Sequence, residues 1–116
     1  KFDPTKLGEA HGKCLRDFID FCQKMSPEAS SQITAIVDNT NTPLSEFGPY
    51  AQVAQVYGHS VQILTFLYDP VLAHSRNTHG TPLKACVDMH SRLMEHTKLI
   101  PPWWKHDYVN AHYYPI

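Results

Sequence analysis

Two short strings in this 116-residue sequence combine side-chain types that can act on phosphates. The first, Ile36-Val37-Asp38-Asn39-Thr40-Asn41-Thr42, runs from β-branched apolar residues into one carboxylate followed by amides and hydroxyls. Open α/β sheets take their ligands beyond the carboxyl ends of strands. A carboxylate placed there can hold hydrated Mg²⁺ or orient a phosphate-bearing substrate. The plainer reading of Asp38 and Asn39 is that they cap a turn or the next helix. The second string is Arg76-Asn77-Thr78-His79-Gly80. Arginine at a hinge can grip phosphate oxygens through two parallel hydrogen bonds, and glycine admits backbone angles closed to other residues, a combination that suits a lid closing over phosphates. Arg76 alone reads more plainly as part of a solvated connection between helices.

Other reactive residue types point away from catalysis. The eight histidines include the pairs His74 and His79, His90 and His96, and His106 and His112, but none forms HExxH or accompanies a CxxC, so no metal site is expected. His11 is expected to pack on the apolar face of the first helix. Cys14 and Cys22 fall on that helix's apolar stripe, and no Gly-x-Ser-x-Gly occurs, which leaves little for nucleophilic catalysis. Trp103, Trp104, Tyr108, Tyr113 and Tyr114 are of the type that stacks on bases, yet core cover is the better reading. Three cysteines without a CxxC suit a reducing compartment, cytoplasmic or nuclear.

The elements that must position these residues follow from patterning. With 42% apolar and 18% charged residues and a formal charge of -1, the sequence reads as one globular domain with no global field for polyanions. No apolar run approaches the roughly 20 residues that span a bilayer, so no membrane association is expected. Leu7, Cys14, Leu15, Phe18, Phe21 and Cys22 recur at helical spacing after Asp3-Pro4-Thr5, which predicts an amphipathic helix over 5–24. Ile33-Thr34-Ala35-Ile36-Val37 reads as a buried strand, 49–57 as a helix ending at Gly58, and 61–67 as a second strand, together a parallel βαβ unit. Asp69-Pro70 opens a short helix up to Arg76, and Thr81-Pro82 opens another. Residues 105–116 read as aromatic and irregular. Two strands are too few for a free-standing parallel sheet, so either further strands come from another segment, a partner protein or a second copy, or an unusual small fold buries the strand edges.

Taken together, these strings resemble the C-terminal two thirds of a P-loop kinase of the polynucleotide-kinase-like family, the AAA-type ATP-binding module of phage 5′-polynucleotide kinases and Nedd-ligase-binding proteins. The matching residues are Phe2-Asp3-Pro4, Leu7, Ala10-His11, then Ile36 to Thr42, Glu46, Pro49-Tyr50, Ala54, Gly58, and Arg76-Asn77-Thr78-His79-Gly80-Thr81-Pro82-Leu83. The resemblance implies an α/β fold, a partial three-layer P-loop-kinase-like arrangement with a parallel βαβ unit and lid helices over 1–100, with 101–116 packing on it as an aromatic tail. It implies ATP and Mg²⁺ as cofactors and transfer of the γ-phosphoryl group to a nucleic-acid 5′-hydroxyl. Asp38 and Arg76 would then be catalytic. Asn39, Thr40, Asn41 and Thr42 would shape the acceptor pocket, and Arg76, Asn77 and His79 would contact ATP. His79 stands near a position where phage relatives carry a further lid arginine. The family's Gly-x-x-x-x-Gly-Lys-Ser/Thr loop does not occur in the 116 residues. The sequence is therefore expected to be the portion of such a kinase that lacks the phosphate loop, completed by another polypeptide. The alternative is a degenerate relative serving as a binding or scaffold module.

Overall fold

A computed structural model describes residues 3–25, 33–39 and 43–110. The chain divides into two compact units. One comprises Lys1–Asn39 with Gly48–Val61, and the other Thr40–Phe47 with Gln62–Ile116.

The first unit is helical. The Asp3 carboxylate accepts from the backbone N–H and the hydroxyl of Thr5 at 3.0 and 2.6 Å, and this cap opens a 3-10 turn, Pro4–Lys6, that leads into α1, Leu7–Lys24. Ion pairs one turn apart, Lys13 with Asp17 and Lys24 with Asp20, lie on its solvent side. Burial along α1 is uneven. Cys22 is buried and Phe18, Ile19 and Phe21 are half-buried, whereas Leu7, His11 and Cys14 are exposed. The expectation of buried Cys14 and packed His11 is thus corrected: the apolar stripe is covered only towards the C-terminal half of the helix.

Helix α2, Leu44–Val56, contributes the rest of this unit's core. Tyr50, Ala51 and Ala54 are buried on one of its faces, and Phe18 meets the Tyr50 ring edge-on with centroids 5.2 Å apart. Pro49 was expected at the helix start but lies inside it, because the first turn is anchored upstream: the Pro43 carbonyl accepts from the amides of Glu46 and Phe47. The helix ends as predicted at Gly58, which takes φ of 81° while the His59 amide reaches back to the Ala54 carbonyl. His59 in turn places Nε2 3.2 Å from the Cys22 carbonyl.

The second unit holds a two-stranded parallel sheet. Strand β1, Ile63–Leu67, pairs with β2, His106–Asn110, in a register that sets Ile63 against His106 and Leu67 against Asn110. Parallel strands need a long crossover. Here it is built by α3, Pro70–Arg76, and α4, Leu83–Thr97, which pack on each other. The first turn of α2 belongs to this unit as well, and its Leu44 amide donates to Nδ1 of His96 on α4 at 2.8 Å. Buried hydroxyls are satisfied: Thr65 Oγ1 lies 2.7 Å from His106 Nε2, and Thr97 Oγ1 donates to the Met94 carbonyl while accepting from the Tyr108 hydroxyl. Leu64 and Phe66, on the opposite face of β1 from Thr65, are 48% and 57% exposed.

The chain is therefore a mixture of helix and parallel strand, compatible with the α/β class, but its parallel pair is not the expected one. Residues 33–38 form no strand, and Ile36 is 82% exposed. A lone extended segment has no ladder to satisfy its amides and carbonyls, whatever its β propensity. The pairing instead recruits His106–Asn110, from the stretch that reads as irregular. The βαβ reading over 33–67 is corrected to a crossover from β1 through α3 and α4 to β2. Among the described residues no helix is long and apolar enough to cross a membrane.

The Asp69-Pro70 start of α3 is realised as predicted. The Asp69 carboxylate accepts from the amides of Val71 and Leu72 at 2.8 and 3.3 Å, and Pro70 occupies the first turn, where no N–H is needed. Asp69→Ala is expected to lower stability by about 1 kcal/mol, visible as a drop in urea midpoint at constant slope. Asp69→Asn, which keeps an acceptor, should retain most of it.

Candidate functional site

The two chemistry-bearing strings fall in different units: Asp38 and Asn39 in the first, Arg76, Asn77 and His79 in the second. Thr40, Asn41 and Thr42 lie outside the described residues.

In the first unit Asp38 is exposed, and among the described residues it caps no backbone amide. Asn39, beside it, is anchored by its side chain, with Nδ2 donating to Cys14 Sγ at 3.8 Å. Tyr50 joins this pair from α2. Burial, reinforced by a hydrogen bond with the Cys14 thiol and by the charge that thiol can carry, pushes the Tyr50 phenol up to about 12, with the Asn39 side chain acting weakly the other way. The phenol is therefore a firm neutral group at any physiological pH. Cys14, Asn39 and Tyr50 form a small polar cluster that fixes Asn39 next to Asp38. Sequence reasoning singled out Asn39 but not the two side chains that contact it. In the sequence Tyr50 stands out only as part of the Pro49-Tyr50 match, and Cys14 as part of the apolar stripe of the first helix.

The raised Tyr50 value sets a pH dependence. A phenol whose folded pKa exceeds its ordinary value of 10 adds stability that is complete below pH 10 and is lost as pH climbs through the interval up to about 12. Other groups titrate in that interval, so the informative measurement is the difference between wild type and Tyr50→Phe. Thermal melts at increasing pH should show wild type losing its advantage over the variant across that window.

In the second unit the geometry centres on Arg76, the last residue of α3 and an exposed one. Its Nη1 donates to the Tyr68 hydroxyl, and its guanidinium carbon stands 5.7 Å from the centroid of the same ring. Tyr68 directly follows the last residue of β1, so a strand end and a helix end bring the two side chains together. Among the described residues Arg76 has no carboxylate partner. The ion pairs there involve Lys13, Lys24 and Lys84 instead.

The loop after Arg76 is held by Asn77. Its Oδ1 accepts from the backbone amides of His79 at 2.6 Å and Thr81 at 3.5 Å, and Gly80 takes φ of 73°, which a side chain would strain. Asn77 is thus spent on shaping the loop, while His79 is exposed on it. An open depression of about 450 Å³ nearby is lined by Asp69, Val71, Leu72 and Ser75. It includes none of the predicted site residues, and the Asp69 carboxylate there is already committed to the α3 cap. Among the described residues no three metal-ligating side chains converge.

Chemically, the second unit offers a cation held by Tyr68, with no carboxylate partner among the described residues, beside a loop shaped by Asn77, and the first an exposed carboxylate beside an amide held by Cys14. No family model matches this chain, and neither does any curated protein or solved structure.

Proposed function

We propose that this chain supplies the acceptor and lid portion of an ATP-dependent kinase that phosphorylates a nucleic-acid 5′-hydroxyl. The observation that carries the reading is Arg76, a guanidinium without a carboxylate partner among the described residues, held at the junction of a helix and a tight loop. Such an arginine is suited to the spread-out negative charge of a transferring phosphoryl group. In the reaction the bond between the γ-phosphorus and the ADP oxygen breaks as one to the 5′-oxygen forms, and the hydroxyl proton passes to a carboxylate supplied, like the phosphate cradle, by another stretch of polypeptide. In this reading Arg76 is the second unit's contact to the phosphates, and Asp38 with the neighbouring Asn39 amide is the first unit's contact to the acceptor. Asn77 keeps the loop in shape, and His79 lines its outer side. Mg²⁺ enters with ATP. The 116 residues hold no Gly-x-x-x-x-Gly-Lys-Ser/Thr string, so in this reading the cradle for the phosphates comes from another stretch of polypeptide. The three cysteines are free thiols, which suits the reducing cytoplasm or nucleus.

The test is transfer of labelled γ-phosphate from ATP to a 5′-hydroxyl oligonucleotide by the natural polypeptide that carries this sequence. A 5′-phosphorylated product that requires Mg²⁺ supports the reading, and its absence overturns it. The exposed apolar pair Leu64 and Phe66 on one sheet face favours a second reading, a degenerate non-catalytic relative serving as a binding or scaffold module. That reading requires the same polypeptide neither to bind nor to turn over ATP.

A further inference from the structure

We propose that Tyr68 is a positioning residue for Arg76, one that sets the guanidinium in place before the nucleotide arrives. The inference rests on the reading that Arg76 grips ATP phosphates, and it adds the residue through which that grip is prepared. An arginine at the exposed end of a seven-residue helix has four side-chain torsions to order before it can make a two-pronged contact, and that ordering opposes binding. Tyr68 restricts this freedom in two ways, by accepting a hydrogen bond from Nη1 and by lying against the cation at 5.7 Å.

The arrangement leaves Arg76 competent. A guanidinium carries five N–H donors, and the phenol takes one, so a pair of donors remains for phosphate oxygens. The tyrosine hydroxyl is neutral and competes poorly with a polyanion, which separates this contact from a latch that withholds the arginine. The location fits the role. Tyr68 sits between the end of β1 and the Asp69 cap of α3, two elements fixed by the sheet register and by the carboxylate's two amide bonds. The ring is itself half-buried, so its own rotamer is restricted. Rigid surroundings are what make a positioning group effective.

Steady-state kinetics on the natural polypeptide, with ATP·Mg²⁺ varied at saturating 5′-hydroxyl oligonucleotide, test this in four forms: wild type, Tyr68→Phe, Arg76→Ala and the double variant. Tyr68→Phe keeps the ring and removes the acceptor. It is expected to raise KM for ATP about tenfold with a smaller change in kcat, and to have no effect once Arg76 is alanine. A structural role would give the same loss in both backgrounds, and that result overturns the proposal. So does an unchanged KM in Tyr68→Phe when Arg76→Ala is impaired, and so does a lowered KM, which would mark Tyr68 as a latch. If instead Arg76→Ala behaves as wild type, or wild type transfers no phosphate, the underlying reading of Arg76 fails and the proposal falls with it.

Discussion

Arg76→Ala is expected to lower kcat/KM for 5′-hydroxyl phosphorylation by roughly 10²–10³, the largest effect of any single substitution in this chain. On the proposed reading the magnitude follows from what would be removed: a charge-assisted, two-pronged contact to oxygens whose negative charge is greatest in the transition state. Arg76→Lys should recover only part of the loss, because an ammonium restores the charge without the fork. Kinetics of both variants, with circular dichroism to establish that the fold is kept, check the prediction, and a kcat/KM within twofold of wild type for Arg76→Ala would contradict it.

Tyr50→Ala should be the most damaging substitution to stability, at about 3–4 kcal/mol. Tyr50 is 8% exposed, packs edge-on against Phe18 and lies on the same helical face as the buried Ala51 and Ala54. Removing the ring leaves a cavity in a core whose other buried side chains are small and cannot close it. The pair also loses its aromatic contact energy, about 0.5–1.5 kcal/mol. Tyr50→Phe keeps the ring and should cost only about 1 kcal/mol, the share of the hydroxyl's contacts with Cys14 and Asn39. Urea unfolding of the two variants separates cavity from hydroxyl. Equal losses would mean that the polar cluster, rather than the aromatic packing, holds this unit together.

The helices were legible because their signals are local. Asp3-Pro4 and Asp69-Pro70 cap, start and pre-set helical turns within three or four residues, and Gly58 stops one by a conformation that other residues resist. The strands were not legible to the same degree, because a strand is defined by its neighbour. Ile33 to Val37 carries the stronger β signal and stands unpaired. His106 to Asn110 carries a weaker one and is paired, since β1 presents it with a complementary row of backbone groups. Burial on α1 misled for a related reason. Periodicity marks the face that is apolar, but not how far along the helix a neighbour covers it, which is why Cys22 is buried and Cys14 is not.

For the site, residue types at turns were legible, and their supports were not. Arg76 and Asn77 could be picked out by type and position. Nothing in the spacing linked Arg76 to Tyr68, eight residues earlier across a whole helix, or Asn39 to Cys14 from a distant element. The one available hint for Tyr68 was its place just past a predicted strand, where ligand-handling groups gather in α/β sheets.

The parallel pairing of β1 with β2 also dictates a timetable. During synthesis Ile63–Leu67 emerges well before His106–Asn110, and all of 68–105 must be made before the ladder can close. Contacts between residues so far apart in sequence form slowly. Until the late strand arrives, the backbone groups of β1 that will pair with it stand open to any neighbouring extended chain, so clumping during production is a hazard this architecture carries.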